Sequence, residues 1–144
     1  MLIVDVSFQV VVPVQRRLQP SHYGPIKGGQ GFIEDVNEAL PSLHAFGKPR
    51  LFVGITSGNL DSMVSNYTAS QKKRRTDDLS FSESGEKRPD RAVIVYANLV
   101  KRVWKDVPIV LGGIEASLRR FGHYDWWQDK VRHSILLDSK ADFI

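Results

Sequence analysis

The chain contains 144 residues, of which 42% are hydrophobic and 25% charged, as is usual for one globular domain. Its net charge of +4 is mildly basic, and an ordinary soluble surface explains that better than nucleic-acid binding does. Cysteine is absent, which excludes disulfides, cysteine nucleophiles, zinc–thiolate sites and an iron–sulfur cluster held by this chain's own thiolates. No apolar run reaches the ~18 residues that a membrane-spanning helix needs. Residues 2–14 lack a basic leader, so we expect no secretory signal and a cytoplasmic location.

The first part of the chain predicts one strand followed by irregular structure. Apolar residues alternate with polar ones over residues 2–12, which is the period of a half-buried strand, and Pro13 ends it. Glycines and prolines then interrupt the chain repeatedly, and only residues 32–40 could form a short helix. We therefore treat residues 1–42 as a separate N-terminal segment and residues 43–144 as the main domain.

A strand buried on both faces is predicted at residues 51–55, where the sequence LFVGI is continuously apolar. It runs into a polar turn at residues 56–59. A helix is expected over residues 61–67, with Ser57 or Asn59 available as its N-cap.

Residues 70–91 form a polar insert that we predict to be a solvent-exposed loop, because no apolar face can be drawn through it. The basic run at residues 72–75 could bind phosphates, but Asp77 and Asp78 follow at once and reduce the local charge. After Pro89, apolar residues recur at helical spacing up to Trp104, which predicts an amphipathic helix.

A second buried strand is predicted at residues 107–111, ending at a pair of glycines. Residues 114–121 and 124–137 are interpreted as two further helices, and residues 141–144 as the opening of a third strand of the main domain. Alternation of apolar strands and helices predicts an α/β fold, a Rossmann-like parallel sheet with helices on both faces.

Ligands bind such sheets at the carboxyl ends of the strands, which points to the two loops that follow the buried strands. The candidate ligand-facing residues are Thr56, Ser57, Gly58, Asn59, Gly112, Gly113 and Glu115. Helix N-termini there would favour an anion or a polar cofactor edge, although Glu115 would repel a phosphate. The alternative is that the glycines only make the strand-to-helix turn, because neither G-x-G-x-x-G nor G-x-x-x-x-G-K-[ST] is present. In either case Gly113→Val should disrupt that turn.

No catalytic residue or metal site is predicted. The string HYDWW at residues 123–127 could form a stacking platform, but buried aromatics that anchor a helix are the commoner explanation. His22, His44, His123 and His133 show no metal-ligand spacing, and no G-x-S-x-G elbow is present.

Several strings together resemble the N-terminal domain of the YgiQ-type (UPF0313-like) radical SAM proteins. They are LFVGITSGNLDSMV at residues 51–64, KRPDRA at 87–92, PIVLGGIEASLRR at 108–120, HYD at 123–125, DKVR at 129–132 and SILLD at 134–138. The resemblance covers residues 43–144, and its ordered length makes it specific.

This resemblance implies a cobalamin-binding-like α/β domain that precedes a barrel, where a C-x3-C-x2-C motif holds a [4Fe–4S] cluster and S-adenosylmethionine. The barrel domain of the same protein is the implied partner. Because this chain has no cysteine, it is expected to bind no cofactor and to be catalytically silent alone. It also lacks the D-x-H-x-x-G cobalamin ligand motif.

Residues 1–42 do not follow the family, so the chain is interpreted as a fragment, truncated or frameshifted, whose sheet is incomplete. The expected function is that of an accessory domain in a radical SAM protein. The alternative is a free-standing α/β module that binds a nucleotide, another anion or nucleic acid.

Overall fold

The computed structural model describes residues 9–11, 43–44, 47–58, 60–75 and 89–144. Within these ranges the chain forms five strands and four helices. In chain order they are β1 (Gln9–Val11), β2 (Val53–Ile55), α1 (Ser62–Asn66), α2 (Ala92–Val103), β3 (Ile109–Leu111), α3 (Gly113–Leu118), β4 (His123–Asp125), β5 (Lys130–Arg132) and α4 (Ile135–Ser139). The described part is therefore a mixed α/β structure, as predicted at the coarse level.

Three strands form a small parallel sheet in the order β1, β2, β3. Gly54 at the centre of β2 faces Val10 on one side and Val110 on the other. Beyond β3, Phe143 makes a parallel bridge to Val110. The predicted strand opening at residues 141–144 therefore corresponds to a single bridge at this side of the sheet.

The core lies between the sheet and α2. Val53, Ile55, Ile109 and Leu111 are buried, which explains the continuous apolar runs in the two predicted strands. The buried residues of α2 recur at the spacing of one helix face: Ala92, Val93, Tyr96, Ala97, Leu99 and Val100. Full burial of a valine or leucine side chain contributes about 1.5–3 kcal/mol, so this face holds α2 against the sheet.

One predicted helix is wrong. Residues 124–137 form an antiparallel hairpin of β4 and β5, followed by the short helix α4. The Asp125 carboxylate accepts hydrogen bonds from the amides of Trp127 (3.0 Å) and Gln128 (3.1 Å), which closes a turn instead of a helical run. Asp129 takes a positive φ of 48°, which no α-helix interior allows. The aromatic string therefore does not anchor a helix.

Helix α1 begins at Ser62, one residue after the predicted start, and has a different cap. Asp61 is the N-cap, and its Oδ1 accepts hydrogen bonds from the amides of Met63 (2.9 Å) and Val64 (3.2 Å). Ser57 instead donates its hydroxyl to the carbonyl of Leu60 at 2.8 Å. Helix α3 also ends earlier than predicted, at Leu118 rather than at residue 121.

Some predictions lie outside the described residues: the helix at residues 32–40, the ends of the first strand, and residues 76–88 of the polar insert. Within the insert, residues 71–75 are exposed, as expected for a loop. No helix of the described ranges is long and apolar enough to cross a membrane.

Candidate functional site

The two loops predicted to face a ligand meet at the carboxyl edge of the sheet. The amide of Gly112, just after β3, donates a 2.8 Å hydrogen bond to the carbonyl of Ile55 at the end of β2. A Cβ placed on Gly113 would lie under 3.0 Å from the hydroxyl oxygen of Thr56 and 3.2 Å from its Cβ. The structure therefore brings Thr56 and Gly113 together, with no room for a side chain between them.

Backbone conformation distinguishes the glycines of these loops. Gly113 has φ +81° and Gly58 has φ +97°, a region that residues with a Cβ adopt at a cost. Gly112 is extended, with φ −150°, and a Cβ there would meet no atom within 4 Å. Of the predicted pair, Gly113 thus requires glycine and Gly112 does not.

The polar side chains of the first loop bond mainly within the loop. Thr56 Oγ1 accepts a hydrogen bond from the amide of Gly58 at 3.2 Å. Ser57 is only 4% exposed, and its hydroxyl donates a hydrogen bond to the carbonyl of Leu60. Asn59 lies outside the described residues. These contacts hold the loop in one shape at the edge of the sheet.

Glu115 is the most deeply placed of the predicted site residues. Its side chain is fully buried. One carboxylate oxygen accepts from the amide of Ser62 at 2.8 Å, the first residue of α1. The other accepts from the amide of Val93 at 3.2 Å, in the first turn of α2. Since Glu115 itself belongs to the first turn of α3, the N-termini of three helices converge on one carboxylate.

A second hydrogen bond joins the same helix ends. Ser62 Oγ accepts from the amide of Ala92 at 3.0 Å, in the buried region between α1 and α2. Helix N-termini attract anions because their first amides lack partners within the helix. At α1 and α2, Glu115 and Ser62 occupy such amides, so the chain supplies its own anion there.

Comparison with known proteins identifies the family of this chain. A family model described as "Radical SAM N-terminal" matches residues 35–144. The chain belongs to the radical SAM N-terminal family. The resemblance predicted from the sequence is therefore confirmed.

The radical SAM N-terminal domain has similar counterparts in bacteria and archaea. A UPF0313 protein of Thermotoga neapolitana is 69% identical over 98 residues, which are 68% of this chain and 17% of that protein. One from Vibrio vulnificus is 58% identical over 100 residues, 69% of this chain and 13% of its own length. One from Methanocaldococcus jannaschii is 57% identical over 105 residues, 73% and 17% respectively. No solved structure matches the chain.

These relatives are much longer than this chain. The chain spans 13–17% of the length of the three UPF0313 proteins named above. Most of the length of each of these UPF0313 proteins lies outside the segment that matches this chain.

The residues of this radical SAM N-terminal domain do not fit an iron–sulfur cluster. Such clusters are held by cysteine thiolates, and the chain has no cysteine. Among the described residues, no group of three histidines, aspartates or glutamates is placed to hold a metal ion either. The histidines that the structure describes, at positions 44, 123 and 133, thus form no such group.

Buried ion pairs around the edge of the sheet were not predicted from the sequence. Arg119 pairs with the N-cap Asp61, and burial lowers the pKa of the Arg119 guanidinium. Arg91, the residue before α2, pairs with Asp125 of β4 at 2.6 Å. Of these residues, Asp61 could have been identified from the sequence, since an aspartate directly before a helical pattern is a common N-cap.

The carboxylates of Asp125 and Asp90 both bind residues near the helix ends, but their surroundings differ. Burial alone would raise the pKa of Asp125, but the hydrogen bond and charge of Arg91, with two backbone amides, hold it below its usual range. Asp90 accepts hydrogen bonds from Asn66 (2.9 Å) and the Tyr67 hydroxyl (2.7 Å), and the latter bond raises the pKa of Tyr67. All of these groups link the ends of α1, α2 and β4.

Proposed function

We propose that this chain is the N-terminal accessory domain of a larger UPF0313-type radical SAM protein and carries out no radical chemistry alone. One observation carries the proposal: UPF0313 relatives match most of this chain with 13–17% of their own length, and this chain lacks the thiolates that a cluster needs. In this proposal the domain packs against a barrel that holds the [4Fe–4S] cluster and S-adenosylmethionine.

The finer fold that we propose is Rossmann-like or cobalamin-binding-like. Support comes from the parallel order β1, β2, β3 and from the bridge that Phe143 makes beyond β3. In folds of this kind, ligands bind at the carboxyl edge of the sheet.

We assign residues 56–58 after β2 and the glycine pair 112–113 at the start of α3 to the wall that faces the barrel, and the fully buried Glu115 supports that wall from inside. This edge is rigid, because Gly113 is pressed against Thr56 and Glu115 fixes α3 to the first amides of α1 and α2. A loop edge held in this way keeps its shape when a second domain closes over it, so little conformational entropy is lost on docking.

A chimera tests whether the domain packs against the rest of such a protein. Residues 35–144 of this chain replace the matching segment of the Vibrio vulnificus relative, and hydrogen exchange is followed for the α2 amides in the chimera and in the isolated chain. Docking buries surface of the domain and stabilises it, so exchange from α2 should slow at least tenfold in the chimera. Equal exchange rates in the two settings would contradict the proposal.

The isolated chain gives the complementary test. We expect nucleotides at millimolar and oligonucleotides at micromolar concentration to leave its melting temperature unchanged. A saturable, salt-sensitive rise in melting temperature would instead support the free-standing module that binds an anion or nucleic acid.

A further inference from the structure

The hairpin of β4 and β5 has its polar and apolar faces reversed relative to a hairpin that covers a core. Directly paired residues of an antiparallel ladder lie on the same face. Tyr124 pairs with Val131, whereas Asp125 pairs with Lys130 one position further along. Asp125 is 6% exposed, but Val131 is 78% exposed. Asp125 thus lies against the domain although Lys130 on the same face is exposed, and the face of Tyr124 and Val131 points away from the domain.

Charged groups hold the inner face of the hairpin in place. Asp125 pairs with Arg91 at 2.6 Å, and Arg132 pairs with Asp138 of α4 at 2.7 Å. The side chains of these four residues are all mostly buried, with exposures from 5% to 21%. Charges removed from water to this degree need such partners, so the orientation of the hairpin is firmly determined.

The outer face is apolar and uncovered. Tyr124 is 54% exposed, and its hydroxyl is already bonded to Asp129 across the turn, which leaves the ring as the free surface. Outside the strands, Phe121 before β4 is 73% exposed, and Trp126 after it is 54% exposed although its indole N–H donates to the carbonyl of Ala69 at 3.3 Å. Single exposed apolar residues are ordinary, but aromatic and branched side chains gathered on one rigid element mark an interaction surface.

The hairpin lies at the same edge of the sheet as the two loops. Asp125 of the hairpin forms an ion pair with Arg91, which directly precedes α2. The first turn of α2 in turn donates a hydrogen bond to Glu115, which lies four residues after the end of β3. Residues 142–143 run parallel to β3 on its free side, so a polypeptide that continues past them leaves the sheet at this carboxyl edge. The UPF0313 relatives have most of their length outside the matched segment.

We propose that the outer face of the hairpin, Tyr124 and Val131, is the surface on which the remainder of a complete UPF0313 polypeptide docks. The occupant is an apolar surface of that same polypeptide, reached directly from the edge where the chain leaves the sheet. The inference rests on the proposed function, and it adds which surface of the domain meets the rest of the protein.

Because the chain has no cysteine, a single introduced cysteine is the only thiol of the domain, and its labelling reports on coverage of that position. Val131→Cys and Tyr124→Cys probe the hairpin face. Leu51→Cys is the matched control, since Leu51 is 53% exposed and precedes β2 at the opposite edge of the sheet. Each variant is alkylated in the isolated chain and in the Vibrio vulnificus chimera, and mass spectrometry of the peptide that carries it gives the labelling rate.

In the isolated chain all three cysteines should be alkylated at similar rates. In the chimera, labelling at positions 124 and 131 should fall at least tenfold, whereas labelling at position 51 should change less than twofold. Far-UV circular dichroism of each variant verifies that the hairpin substitutions leave the domain folded.

The outcomes separate the inference from the proposed function. If α2 exchange slows in the chimera but positions 124 and 131 stay as reactive as in the isolated chain, the domain docks through another surface and the inference is wrong. If α2 exchange does not slow, the proposed function fails and the inference fails with it. If both hairpin cysteines are protected in the isolated chain in a concentration-dependent way, the occupant is a second copy of the chain, and the proposed docking is overturned.

Discussion

Substitution of Gly113 by alanine tests the close approach of the two loops. Gly113 has φ +81°, and a Cβ there would lie under 3.0 Å from Thr56 Oγ1. Two costs follow from this geometry. Alanine in the left-handed region costs about 1–2 kcal/mol relative to glycine. Thr56 must also rotate away, which breaks its 3.2 Å hydrogen bond to the amide of Gly58, worth about 1 kcal/mol.

The two costs add to about 2–3 kcal/mol of unfolding free energy, since strain and hydrogen bond are lost together. For a domain of this size, ~1 kcal/mol shifts the melting temperature by about 3–4 °C, so Gly113→Ala should melt about 6–12 °C below the parent. Valine adds a branched side chain at the same point, and Gly113→Val should lower the melting temperature further.

The assay is thermal unfolding followed by circular dichroism, with Gly112→Ala as the matched control. Gly112 is the neighbouring residue, is extended, and has no atom within 4 Å of an added Cβ. Its alanine variant should melt within about 2 °C of the parent, because surface substitutions without strain change stability by ~0.5 kcal/mol or less. If both alanine variants lower the melting temperature equally, the argument from positive φ and the Thr56 contact is refuted.

Three further predictions concern the buried charges and the missing thiolates. Glu115→Gln replaces one acceptor oxygen by an amide group that cannot accept from Ser62 or Val93, so urea unfolding should show a loss of about 1–3 kcal/mol; an unchanged midpoint would mean that the two contacts do not stabilise the fold. The pKa of Asp125 is lower in the folded chain than the usual aspartate value near 3.8, so the ionised carboxylate stabilises the fold above that value. This contribution is lost as the pH falls through the folded pKa. Unfolding free energies measured from pH 6 to pH 2 should therefore fall less steeply for Asp125→Asn than for the parent, and parallel curves would refute the ion pair with Arg91 as the cause. Incubation of the isolated chain with iron and sulfide should give no cluster absorbance and no bound iron, whereas stoichiometric iron would contradict the absence of a cluster site.

The central strands and α2 could be predicted because burial dominates their sequences. The apolar runs around Val53 and Ile109 leave no polar face, which only a strand covered on both sides accepts. Residues 92–103 repeat apolar side chains at helical spacing, so that helix is visible without any knowledge of its partners.

The hairpin could not be predicted, because distant residues decide it. Arg91 and Asp125 are 34 positions apart, and their ion pair determines which face of β4 turns inward. Inward charged and outward apolar residues reverse the usual pattern of a strand, so periodicity alone gives a wrong interpretation. The positive φ of Asp129 has no unique sequence signal either.

The position of Glu115 was also hidden in the sequence. Because Glu115 lies in the first turn of α3, the sequence predicts that it interacts favourably with the dipole of its own helix. Its hydrogen-bond partners are instead backbone amides 53 and 22 positions away, and a backbone amide leaves no trace in the amino-acid sequence. Sequence reasoning could place Glu115 beside the loop, but not in the buried centre of three helix N-termini.

The burial of Glu115 bears directly on the two functions considered for this chain. The alternative, a free-standing module, would hold its anion at helix N-termini and at the basic run of residues 72–75, yet the first amides of α1 and α2 at this edge already bind a carboxylate of the chain. A second anion placed 4 Å from that carboxylate would be repelled by about 1 kcal/mol in bulk water and by about 4 kcal/mol near a protein surface. The same contacts suit an accessory domain, because they fix the loop edge and leave the apolar hairpin face as the surface available for docking. The occupied amides of α1 and α2 therefore favour the proposed accessory role over an anion pocket at these two helix ends.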